Sequence, residues 1–257
     1  MLDAFAASLP EGVSAATAFI LVGASFFTSA LTAAFGIGGG VAMLSIMGIL
    51  LPVAALIPVH GAVQLGSNTG RAIVQRRWIV WTAVLPFLAG GVIGAALGAP
   101  FVVRIDDALL KIGLGLFILV VTWAKLPALR QPGAPWFFAG GLITFFLTMF
   151  FGATGPLTAV FLEKAFGERR SYVATHAAVM TAQHLGKIVA FGFAGFAFAE
   201  WAPLALAMIA TGFVGTVTGS RLLARLPEPA FRTGFRWVLT VLALDLARRG
   251  ILAIFSA

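Results

Sequence analysis

TSALTAAFGIGGGVAMLSIMGILLPVAALIPVHGAVQLGSNTGR occupies residues 28–71, and TFFLTMFFGATGPLTAVFLEKAFGERRSYVATHAAVMTAQHLGK occupies residues 144–187. The two stretches overlay without a gap at a shift of 116, which carries 28 onto 144. Thr28 meets Thr144, Thr32 meets Thr148, Phe35-Gly36 meets Phe151-Gly152, Gly39 meets Gly155, His60 meets His176, and Gly70-Arg71 meets Gly186-Lys187. A second block overlays at a shift of 121, where Gly91, Gly94, Gly98 and Arg104 meet Gly212, Gly215, Gly219 and Arg225. Apolar stretches align by chance, but rare residues such as His, Arg and clustered Gly do not. The chain reads as a duplication, with about five extra residues in the second half near 188–200. Internal repeats of this kind are typical of secondary transporters.

Composition places both copies in a membrane. Of the 257 residues 60% are hydrophobic and only 10% charged, against about 25% charged in an ordinary soluble domain. Mean hydropathy is +1.03. Apolar runs at about 13–34, 41–57, 58–75, 79–103 and 106–126 are matched by runs at 134–151, 156–166, 171–199, 201–220 and 229–255. Runs of about 18 apolar residues or more read as membrane spans. The net charge of +8 sits in clusters between these runs. That is a loop pattern rather than a nucleic-acid footprint. There is no cysteine, hence no disulfide or thiolate metal site. Asp3 and Glu11 precede any Lys or Arg, unlike the basic start of a signal peptide, so the first run is expected to be retained.

Glycine-rich breaks, FGIGGG at 35–40 and FGATGP at 151–156, interrupt the first two runs of each copy. One unbroken helix over 13–51 would measure roughly 58 Å, about twice the hydrocarbon core. A hairpin that enters, turns at the glycines and leaves by the same side fits better. Charge agrees. With a hairpin in each copy, twelve Lys and Arg fall on one side and Arg104, Lys111, Arg248 and Arg249 on the other, with Lys187 inside a span. With single crossings the split is seven against nine, which the positive-inside rule disfavours. The expected fold is an all-α polytopic membrane protein of two inverted repeats, 1–127 and 128–257. Each repeat holds a Gly-broken re-entrant helical hairpin followed by three transmembrane helices, and both termini lie outside.

Polar residues within the apolar runs mark the candidate site. His60, Gln64, Ser67, Asn68 and Arg71 fall on one helical stripe, as do His176, Gln183, His184 and Lys187, with Met180 in the place of Gln64. Interhelical packing accounts for a Gln or an Asn at about 1 kcal/mol or less. It accounts poorly for Lys187, since a mid-membrane lysine costs about 2.5–3.5 kcal/mol even on the lenient scale, and no acid lies in that run before Glu200. Arg71 either lines the site or snorkels to the headgroups. A helix that starts after a glycine turn offers free N–H groups and a positive dipole end to an anion. The expected binding residues are therefore Gly36, Gly38, Gly39, Gly40, His60, Gln64, Asn68, Arg71, Gly152, Thr154, Gly155, His176, Gln183, His184 and Lys187, with Thr28, Thr32, Thr144 and Thr148 as possible lining. Gly90, Gly94, Gly98, Gly215 and Gly219 have the small-xxx-small spacing of close helix packing instead. FGIGGG lacks the strand and the Lys-Ser/Thr of a nucleotide loop. No GxSxG occurs and no carboxylate pair falls at a membrane site. Asp245 reads as a partner of Arg248 or Arg249.

FGIGGG followed by HGAVQLGSNTGRAIVQRR, and FGATGPL followed by THAAVMTAQHLGKIVAFGFAGF, resemble the sulfite exporter TauE/SafE family over nearly the whole chain. The second break departs from that family's glycine-rich form at Ala153-Thr154 and Pro156. The resemblance implies an inner-membrane permease of the bacterial cytoplasmic membrane, for sulfur-containing anions such as sulfite or organosulfonates, and export as the usual direction. The expected partners are a small anion, the lipid bilayer and protons as a coupling ion, with no nucleic acid, cofactor, metal or enzymatic role. The alternatives are an anion channel of the same fold, and a metal-handling protein or enzyme using the three histidines.

Overall fold

A computed structural model describes residues 7–35, 38–102, 106–124, 132–222 and 228–255, and among these there is no strand. The helices are α1 (Ala15–Phe35), α2 (Gly39–Leu50), α3 (Val53–Val74), α4 (Trp81–Val102), α5 (Asp107–Trp123), α6 (Ala134–Phe151), α7 (Gly155–Leu162), α8 (Arg169–Phe193), α9 (Phe198–Leu222) and α10 (Glu228–Phe255). The chain is an all-helical polytopic membrane protein. Helices α1, α4, α6 and α9 are long and apolar enough to cross a bilayer. Their outward faces carry exposed Phe27, Leu85, Val92, Leu206 and Phe213, where lipid replaces water as the solvent.

Both breaks turn the chain back on itself. The Thr28 hydroxyl donates to Met43 Sδ at 3.6 Å, and a Cβ on Gly39 would overlap the Thr28 carbonyl oxygen and Thr32 Oγ1. So α2 folds against α1. The Trp136 indole N–H donates to the Phe161 carbonyl at 3.2 Å, and Thr154 Oγ1 reaches back to the Thr144 carbonyl at 3.4 Å. So α7 folds against α6. Positive φ at Gly38 (106°) and Gly152 (70°) makes each turn, a conformation that costs a residue with a Cβ. The next boundary differs from expectation. Helix α3 starts after Pro52, and Pro58 lies within it. Pro52 has no N–H to give, which suits a position just before a first turn.

The first helix of each half packs against the fourth helix of the other. A Cβ on Gly94 would overlap the Leu142 carbonyl oxygen, and one on Gly215 would overlap that of Phe26. Gly98 lies on Phe146 as Gly219 lies on Ala30, and Gly91 lies on Phe145 as Gly212 lies on Ser29. These pairs obey the two sequence offsets, 121 for the glycine and 116 for its partner. Small residues let the backbones approach, so that dispersion holds the seam where lipid offers no hydrophobic drive.

Helices α3 and α8 meet each other running antiparallel, and so do α5 and α10. Val80 N–H, just beyond α3, donates to Thr175 Oγ1 near the start of α8 at 3.0 Å, whereas Gly61 in the first half of α3 faces the Lys187 stem deep in α8. Trp123 Nε1 at the end of α5 donates to Thr240 in α10 at 2.9 Å, and the Ala108 carbonyl at the start of α5 approaches Gly250. The polar helices α3 and α8 thus stand inside the apolar ones.

Candidate functional site

Helices α3 and α8 bring their stripes together beside the two breaks. Between them lies a cavity of about 420 Å³, its open mouth included, lined by Thr32, Gly38, Gly40, Val41, His60, Gln64, Asn68, Arg71, Ala153, Gly155, Pro156, His176, Met180 and His184. Arg71 is partly exposed, while His60 and His184, each 1% exposed, lie in the interior. The first turns of α2 and α7 face this space from opposite halves. The N–H groups of Gly39, Gly40 and Val41 lie ahead of the first helical bond of α2, Ala42 N–H to Gly38 O at 3.0 Å. Those of Gly40 and Val41, which line the cavity, are therefore open to a ligand. In the first turn of α7, Pro156 has no N–H to offer.

Each half uses a histidine to hold its break. His60 Nε2 donates to the Gly40 carbonyl at 2.9 Å, and His176 Nε2 donates to the Gly155 carbonyl at 3.1 Å. A carbonyl only accepts, so the Nε2 proton of each ring is committed. His60 Nδ1 is left buried without a protein partner. The Gln64 amide lies 3.4 Å from His60 Nε2, and its oxygen is the end that suits that contact. Asn68 donates to the Gln64 carbonyl at 2.8 Å, and Arg71 Nη2 donates to Asn68 Oδ1 at 2.7 Å. Arg71 therefore belongs to the cavity wall. The ring centroids of His60 and His184 stand 6.0 Å apart, and among the described residues no carboxylate lines the cavity. Among the described residues no three His, Asp or Glu side chains converge as metal ligands. What the wall offers is a guanidinium, histidines, amides and helix N-termini, an arrangement that favours a compact anion.

Not every expected residue lines the cavity. Gly36 lies outside the described residues. Gly39 serves the close approach of α2 to α1. Thr154 is buried and donates to Gln183 Oε1 at 3.0 Å, so these two tie the second break to α8. Lys187 is fully buried, with Nζ 2.6 Å from the Gly152 carbonyl and absent from the lining. Thr148 donates to the same carbonyl at 3.1 Å. Thr28 and Thr144 bond to backbone carbonyls, and of the four threonines only Thr32 lines the space. The sequence reading missed Val41, Ala153, Pro156 and Met180. The repeat alignment carries a signal for Met180, since it stands where the first half has Gln64. Asp245 accepts from Arg248 at 2.6 Å and from Arg249 at 2.7 Å on the face of α10, away from the cavity.

Comparison with known proteins agrees with this picture. The family model described as Sulfite exporter TauE/SafE matches residues 21–246. A relative from Comamonas testosteroni, a probable inner membrane transporter protein TsaS, is 29% identical over 183 residues, covering 67% of this chain and 74% of that protein. The family match takes in both breaks and both polar stripes. This chain belongs to the sulfite exporter TauE/SafE family of membrane transporters.

Proposed function

We propose that the protein is a secondary transporter that exports small sulfur-containing oxyanions, such as sulfite or organosulfonates, across the inner membrane. One observation carries this reading: a cavity between the helices walled by Arg71, three histidines and the starts of two broken helices, with no carboxylate in the wall among the described residues. The inner-membrane assignment follows the name of the Comamonas testosteroni relative. The binding set is Arg71, Asn68, Gln64, His60, His176 and His184 with the N–H groups of Gly40 and Val41. Residues 1–127 and 128–257 act as inverted repeats. The reciprocal glycine seams and the antiparallel course of the equivalent helices support that arrangement. The halves rock about the cavity to give alternating access. Protonation of the histidines on the path supplies coupling to a proton gradient.

The test is an anion panel on detergent-purified protein, read as thermal stability. A ligand at a hundred times its Kd adds about 2.7 kcal/mol to the folded state. Sulfite and a small alkanesulfonate are expected to raise Tm, with chloride and acetate weaker. No rise with any anion overturns the reading. Saturable, proton-linked flux in proteoliposomes then separates a transporter from a channel, which would pass current without saturation.

A further inference from the structure

The outer seams repeat residue for residue between the halves, but the centre does not. Arg71 and Lys187 are equivalent at the 116 offset. Arg71 is partly exposed and lines the cavity, while Lys187 is fully buried against the Gly152 carbonyl. Thr32 and Thr148 are equivalent too. Thr32 lines the cavity, and Thr148 is buried and donates to that same carbonyl. Beside Lys187, Gln183 is fully buried, outside the cavity lining, and its Nε2 has no protein partner. A scaffold with matching seams and an unlike centre admits a second arrangement, in which the central roles of the halves are exchanged at little cost to the seams.

We propose that the Lys187–Gly152 contact is a latch closing one side of the transport path. In the opposite-facing state Lys187 leaves Gly152 and faces the anion, as Arg71 does here, while Arg71 withdraws. Gln183 then gains the ligand contact its unpaired amide nitrogen lacks. The inference rests on the transporter reading given above. It makes Lys187 a positioning residue in this state and a ligand in the other.

The chain has no cysteine, so single cysteines report on each side. Thr32→Cys marks the open cavity. Ile57→Cys marks the closed side, since Ile57 is 2% exposed and packs beside Gly152. The readout is the rate of reaction with a charged methanethiosulfonate reagent in proteoliposomes permeabilised to it. Adding Lys187→Met is expected to raise the Ile57→Cys rate about tenfold or more and to lower the Thr32→Cys rate. Lys187→Arg, which can still donate to Gly152, is expected to keep the parent rates. Unchanged rates at both reporters overturn the latch. A rise at both together also overturns it, since that marks general loosening. Should Lys187→Met fail to fold, Thr148→Val weakens the same junction with Lys187 in place and must shift the reporters reciprocally by a smaller factor; no shift there overturns the proposal. Reciprocal shifts without any anion flux in the parent protein sink the transport reading and leave the latch standing. Flux with immobile reporters sinks the latch alone.

Discussion

Replacing Arg71 by Gln removes the one full positive charge that the described residues bring to the cavity lining while keeping much of the side chain's bulk. In the structure one guanidinium nitrogen is bonded to Asn68 at 2.7 Å, and Nε is buried without a protein partner. The rest of the fork is available to an oxyanion. A hydrogen bond to a charged group contributes about 1.5–3 kcal/mol. At about 1.4 kcal/mol per decade, its loss weakens anion binding roughly 10- to 150-fold. Titration calorimetry with sulfite on purified protein reads this directly. The apo Tm serves as the control, because Gln can still accept or donate towards Asn68. Arg71→Lys keeps the charge but not the planar fork, so its loss is expected to be intermediate. Sulfite affinity unchanged in Arg71→Gln, with the protein folded, refutes the assignment of Arg71 as the cationic ligand.

Other substitutions probe the scaffold and the breaks. Gly94→Ala and Gly215→Ala each drive a methyl into a facing carbonyl and are expected to cost about 1–3 kcal/mol, a Tm loss of roughly 3–10 °C by thermal scanning in detergent. Gly70→Ala, with nothing within 4 Å of the new methyl, is expected to leave Tm unchanged or raise it slightly. Thr154→Val strands the Gln183 amide oxygen as well as its nitrogen and is expected to cost about 1–3 kcal/mol, visible as a lower Tm. Asp245→Asn breaks an exposed pairing remote from the cavity and is expected to leave sulfite flux at the parent rate.

Much of this architecture was legible because polar residues are expensive in a bilayer and therefore sparse. His60, Gln64, Asn68 and Arg71 declared a stripe at helical spacing, and the structure puts all four on the cavity wall. That the glycine breaks turn the chain back was legible from length and charge, since one helix over 13–51 would be about twice the hydrocarbon core and hairpins put most Lys and Arg on one side. What stayed hidden depends on tertiary partners. Helical periodicity gives the face of a side chain but not the reach of a flexible stem. Lys187 lies on the same stripe as His184, yet it reaches to the Gly152 carbonyl behind the wall. Thr154 and Gln183, 29 residues apart, find each other only once α7 folds back on α6. The apolar wall members Val41, Ala153, Pro156 and Met180 carried no mark in a chain where apolar residues are the rule. The exchange of first helices between the halves was written in the glycine clusters, whose spacing announced close packing without naming the partner.

A small oxyanion is expected to occupy the space between the two breaks. Selenite carries the shape and charge of sulfite together with an anomalous scatterer. Crystals grown or soaked with it locate the anion without interpretation of weak density. The predicted result is one principal anomalous peak within hydrogen-bonding reach of the Arg71 guanidinium and the first N–H groups of α2. A peak confined to the outer loops, or an empty cavity in protein that still carries sulfite, would contradict it.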